Sequence, residues 1–181
     1  MPSPKLIHRW SDLFTYDPET GNLVWKELPR SMFKSDRACN ARNVRFTGKV
    51  AGCEHSNEKG RHAILVNDGG KRVGAHRVIW EMHNGAIPAG MVIDHINGDP
   101  WDNRLPNLRL ATIAENSRNG RMRKNNTSGF KGVIWSLGKW RAQIKMNRKL
   151  ISLGGYHTKE QAYAAYCEGA KRYHGEFART H

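Results

Sequence analysis

Residues 92–116, VIDHINGDPWDNRLPNLRLATIAEN, bring together an Asp-His pair, a loop dense in Asn and Asp, and the start of a helix. That set matches what hydrolysis of a phosphodiester needs. A hard cation such as Mg²⁺ takes carboxylate and amide oxygens, keeps several waters, and neutralises the scissile phosphate and the leaving oxygen. The attacking water needs a base that titrates near neutrality, the natural range of histidine. Asp94 and His95 are neighbours, so in extended backbone they point to opposite sides. One then grips a metal while the other faces the water. Asn107, across a hairpin, is placed to orient the imidazole, and Asn116, on the following helix, to complete the metal site with its side-chain carbonyl. The plainer reading is a turn-rich surface loop, since Asn, Asp, Gly and Pro are the commonest turn residues.

Those side chains need a frame. MVID predicts a short strand, LRLAT a second, and Thr112 with Glu115 makes the T-x-x-E pattern of a capping box, so a helix starts at Thr112. Strand, loop, strand and helix over 91–120 form a ββα unit. Upstream, LFTYDPETGNLVWK (13–26) and GRHAILVNDGGKRVGAHRV (60–78) read as hairpins around DPETG and NDGG, and 30–49 reads as a basic loop. HRVIWEMHNG (76–85) reads as a short helix stopped by Gly85. His76 and Asn103 are possible accessories to the site, with Asn103, like Asp102, more readily holding the loop by local turn bonds.

Downstream, SRNGRMRKNNTSG (117–129) reads as a basic linker. In WRAQIKM (140–146), Trp140, Ala142, Ile144 and Met146 alternate with Arg141, Gln143 and Lys145, the pattern of a half-buried strand. FKGVIWS and KLISLGGY flank it as strands. TKEQ at 158–161 caps a helix with Ala162, Tyr166, Ala170 and Tyr173 on one side. Residues 117–181 carry 14 Lys and Arg against three acids, Glu160, Glu168 and Glu176.

The whole chain has 30 Lys and Arg against 16 Asp and Glu, a net charge of +14, which favours a polyanionic partner. No stretch is long and apolar enough for a membrane span, and no amino-terminal secretory segment is visible, so nucleic acid is the expected partner and the cytoplasm the expected location. Three widely spaced cysteines (Cys39, Cys53, Cys167) argue against a disulfide framework and against structural zinc.

AHRVIWEMHNGAIPAGMVIDHINGDPWDNRLPNLRLATIAENSRN resembles an HNH endonuclease of the phage and intron homing type. The resemblance implies His95 as general base, Asn107 as the residue that orients it, and Asp94 and Asn116 as ligands of Mg²⁺ or Mn²⁺. Asn116 stands where many such enzymes have a final His, which resembles the HNN variants, several of which nick DNA. GVIWSLGKWRAQIKMNRKLISLGGYHTKEQAYAAYCEGAKRYHGEFA is similar to the AP2 domain, whose three-stranded sheet reads duplex DNA. Together these imply an α+β chain: a β-rich region (1–75), an HNH ββα-metal core (76–120), a basic linker (117–129) and an AP2-like domain (130–181). The expected substrate is double-stranded DNA, with the oligomeric state (monomer or homodimer) left open. Arg118, Arg121, Arg123, Lys124, Lys131, Arg141, Gln143, Lys145, Arg148 and Lys149 are the expected DNA contacts. The rival reading is a DNA-binding regulator with a vestigial nuclease fold. It has no need of the four catalytic positions that this chain retains.

Overall fold

The structure is a computed structural model that describes residues 10–56, 62–68, 71–122 and 125–180. The described residues are mixed α and β, with four small sheets of two or three strands. It divides into two compact units, Met1–Leu110 and Ala111–His181. No helix among the described residues is long and apolar enough to cross a membrane.

In the first unit α1 (Trp10–Leu13) leads into a hairpin of β1 (Phe14–Asp17) and β2 (Asn22–Trp25), with Phe14 opposite Trp25. The turn is built by its own residues. Asp17 accepts from Glu19 N at 3.0 Å and Thr20 Oγ1 at 2.6 Å, and Gly21 closes it at φ 74°. Residues 30–49, expected as a loop, instead contain α2 (Asp36–Phe46), with Ser35 as its N-cap accepting from Ala38 N. The helix shows no apolar period because side-chain hydrogen bonds to the 26–28 segment, rather than an apolar stripe, hold its inner face.

Next come β3 (Cys53–Ser56), β4 (His62–Asp68) and β5 (Lys71–Gly74) in one three-stranded sheet, where two strands were expected. The Gly69 and Gly70 part of the expected turn lies outside the described residues. α3 (Ala75–Asn84) buries Val78 and Ile79 and stops at Gly85, φ 80°, whose N–H bonds Glu81 O. Full burial of each such side chain contributes roughly 1.5–3 kcal/mol. These residues join Phe14, Leu23, Val66, Ile93 and Leu108 in one core. β6 (Met91–His95) and β7 (Leu108–Thr112) form the strand pair expected around the Asn-rich loop.

The second unit holds α4 (Ile113–Arg118), whose capping box forms as expected, with Glu115 N donating to Thr112 Oγ1 and Glu115 Oε2 accepting from Thr112 N. β8 (Val133–Ser136), β9 (Lys139–Met146) and β10 (Lys149–Tyr156) make an antiparallel sheet with β9 in the middle, covered by α5 (Lys159–His174). Ala142 and Ile144 are buried with Val133, Ala162, Tyr166 and Ala170, so the alternation along β9 puts Arg141, Gln143 and Lys145 on the opposite face. Gly132 at φ 73° has no room for a side chain, since a Cβ there would stand 2.0 Å from the Tyr166 ring.

The segment 117–129 is more than a linker. Asn119 and Ser128 are buried, and Ser128 Oγ bonds Val133 O at 2.8 Å. Arg123 and Lys124 lie outside the described residues.

Candidate functional site

His95 ends β6 and is half-buried. Its Nε2 lies 2.9 Å from Oδ1 of Asn103, a residue only 1% exposed. An amide oxygen accepts, so Nε2 is the donor in this bond. The side-chain bond to the imidazole, expected from Asn107, is made by Asn103. Asn107 serves the loop instead: its Oδ1 accepts from Asn97 N at 3.0 Å, and its Nδ2 donates to Asp102 O at 2.7 Å and Asn97 Oδ1 at 3.0 Å. The geometric reason is that Asn107 has its side chain turned into the mouth of the loop, which it closes, while Ile96 N bonds Asn107 O across the neck.

The rest of the loop is knit the same way. Asn97 Nδ2 donates to Asp102, and Asp99 N donates to Asn97 Oδ1. Arg104 makes a two-pronged pair with Asp102 at 2.7 and 2.8 Å, which holds that carboxyl down to about 2. From outside, Tyr16 Oη accepts from Leu105 N at 2.8 Å. Gly21 also approaches so closely that a Cβ would stand 2.6 Å from Arg104 N.

His76, at the start of α3, packs its ring edge-on to His95 with centroids 5.2 Å apart. Gly74 leaves the space, since a Cβ there would sit 2.5 Å from His76 Cε1. Burial first, then the nearby His95 and Arg77, bring the His76 pKa down to about 4, so the ring is neutral at neutral pH. His83 takes no part here: its Nδ1 bonds Ile79 O, and its ring meets Tyr16.

Asp94 is 4% exposed, and its Oδ2 accepts from Nε and Nη2 of Arg109 at 3.0 and 2.9 Å. Arg109 was not among the expected site residues. Its signal was there, an arginine set among apolar residues in LRLA, opposite a strand that carries a buried carboxylate. Asn116 lies in the second unit, exposed on α4. Among the described residues no three His, Cys, Asp or Glu side chains gather into a metal site by themselves. By donor chemistry alone, a carboxylate or an amide oxygen suits a hard divalent cation that keeps much of its water shell, and does not suit zinc.

In the second unit Lys131 departs from expectation. Its Nζ donates to the carbonyls of Arg118, Gly120 and Arg179 at 3.0, 2.7 and 3.0 Å, so all three protons are committed to main chain rather than to phosphate. Arg141 is half-buried on the outward face, with its Nε lacking a hydrogen-bond partner among the described residues. Lys145, Arg148 and Lys149 are exposed on the β9–β10 hairpin and Arg121 on the segment after α4; Arg118 and Gln143 are half-buried.

The HNH endonuclease sequence profile matches residues 73–118, the stretch from the end of β5 through α4. Protein 3.8 of Escherichia phage T7 is 41% identical over 106 residues, covering 58% of this chain and 87% of that protein. The chain belongs to the HNH endonuclease family. It is therefore a nuclease. An uncharacterized HNH endonuclease of Acanthamoeba polyphaga mimivirus is 35% identical over 105 residues, and the chain spans 54% of that protein's length. Among solved structures, one of DNA binding and cleavage by the HNH homing endonuclease I-HmuI overlaps with 19% identity and a TM-score of 0.37, covering 89% of this chain and 84% of that one. That overlap is too slight to extend the family assignment.

Proposed function

We propose that this HNH enzyme is a metal-dependent, site-specific endonuclease of duplex DNA, a nickase of the homing type, working in the cytoplasm of a bacterial or phage-infected cell. The observation that carries the reading is the His95–Asn103 bond. It holds the imidazole in place before any substrate arrives, and His95 takes the proton of the attacking water. The water oxygen bonds to phosphorus, the P–O bond to the leaving oxygen breaks, and that oxygen leaves with a proton from solvent. The neutral His76 ring keeps the His95 imidazole from tilting. Asn107 acts at one remove as a positioning residue, closing the loop that carries Asn103.

Asp94 and Asn116, matched to the family pattern, are the proposed ligands of Mg²⁺ or Mn²⁺. The cation, when bound, offsets the charge on the scissile phosphate and leaving oxygen. Arg109 grips the buried Asp94 carboxyl through two hydrogen bonds and fixes its orientation inside the protein. One base per chain makes a single-strand cut the product of a monomer.

The second unit is proposed as an AP2-like reader. Its outward row Arg141, Gln143 and Lys145 faces the duplex, while Arg118, Arg121, Arg148 and Lys149 contact backbone phosphates. The row's alternation on a sheet whose other face is core supports this reading.

The test is incubation of the protein and of His95→Ala with supercoiled DNA, with Mg²⁺ and with EDTA. Conversion to open circle that requires both the metal and His95 is the expected result. Linear product from a monomer, or cutting by the His95→Ala protein, would overturn the assignment.

A further inference from the structure

We infer that α2 in the first unit is a second DNA-reading element, inserted into the major groove. The inference rests on the reading that the substrate is duplex DNA. Each turn of α2 separates two kinds of residue. Cys39, Arg42, Asn43 and Phe46 face inward. Asn43 pairs with both the N–H and the C=O of Leu28, at 3.1 and 2.9 Å, as a strand would, and the Cys39 thiol donates to the same carbonyl. The Arg42 guanidinium lies over the Trp25 ring at 5.0 Å. The helix is thus locked to the 26–28 segment through side-chain bonds.

The other face is exposed along its whole length. At about 100° per residue, Asn40, Val44, Arg37, Ala41, Arg45 and Ala38 follow one another around an arc of roughly 160°. An idle surface helix covers such an arc with Lys, Glu and Gln. Here it carries two alanines, an arginine near each end, an asparagine, and a valine that is 83% exposed. The major groove admits a helix, small side chains let it approach, Arg and Asn read purine edges, and a valine methyl meets a thymine methyl.

The charge matches. Residues 26–49 hold seven Lys and Arg against two acids, Glu27 and Asp36, and Asp36 is ion-paired with Arg30. A groove-bound helix also explains why an apolar side chain stays exposed on a helix so firmly held.

The experiment uses the full chain and a pool of random-sequence duplexes. A photo-crosslinking amino acid at Ala41 is expected to label duplex DNA. Arg37→Ala combined with Arg45→Ala is expected to weaken duplex binding by roughly ten- to a hundredfold and to lower the slope of log K against log salt by about 1.8. Val44→Glu is expected to weaken it about tenfold. All substituted positions are exposed, and circular dichroism checks that the helix persists. If the wild-type chain binds duplex but position 41 gives no crosslink and the double variant binds unchanged, the inference fails while the substrate reading stands. If the wild-type chain binds no duplex, both fail together.

Discussion

The Asn-rich loop of the first unit and the sheet of the second use polar side chains in opposite ways. Between Ile96 and Asn107, Asn97, Asp99, Asp102, Asn103, Arg104 and Asn107 bond one another, the loop's own backbone or His95. On the outward face of β9 the polar row points away from the core, and Arg141 even keeps a buried Nε without a partner among the described residues. A group that moves protons has to be fixed in tautomer and angle in advance. A surface that grips a polyanion gains by leaving its donors uncommitted until the partner arrives. Lys131 marks the boundary of that rule, a cation on the basic unit that has been spent on the fold.

The sharpest way to break the contrast is His95→Ala. Single-turnover cleavage at saturating DNA should fall by about 10²–10⁴-fold with duplex affinity unchanged. A parallel fall in affinity would mean that the loop grips substrate as the sheet does. Next come the internal pairs. Arg109→Met removes one partner of a buried ion pair and should cost about 3–5 kcal/mol in chemical denaturation, the first unit losing the stability. Lys131→Met removes three hydrogen bonds to main-chain carbonyls and should cost about 2–4 kcal/mol, with the loss in the second unit.

A pH effect of similar size separates the units further. The folded His76 pKa of about 4 lies below the unfolded value of 6.5. The unfolded chain therefore binds the proton first, and stability falls as pH drops from about 6.5 to 4, by roughly 3 kcal/mol in all. Urea titrations of the wild type and His76→Phe should diverge in that window and run parallel above it. The smallest effect belongs to the sheet. Lys145→Ala should weaken duplex binding only severalfold and lower the salt slope by about 0.9, with the single-turnover cleavage rate at saturation unchanged.

Much of this was legible in the residues. Both capping boxes, the β6 and β7 strands around the loop, the alternation of β9 and the stop at Gly85 follow from local rules that the structure obeys. What was hidden depended on bonds between side chains and distant backbone. No period in 36–46 announces a helix whose inner face is held by Asn43 and Arg42. Asn103 and Asn107 are alike in type and both lie across the hairpin from His95, so spacing alone could not say which reaches the imidazole. The close approach of Gly21 settles the path of the backbone there. Lys131 reads as one more basic residue until its three carbonyl partners, one of them 48 positions away, are in view.

The hydrogen bonds that buttress the loop also set an order of events as the chain folds. Trp10 reaches Glu81 across 71 positions and Tyr16 reaches Leu105 across 89. The second unit's sheet, by contrast, is made of neighbouring hairpins. Contacts between sequence neighbours form fast, and distant ones wait on loop closure. On a ribosome the first unit cannot lock until the segment through Leu105 has emerged, so the buttresses of the loop wait on a long stretch of chain. The second unit's sheet should close soon after its own hairpins appear.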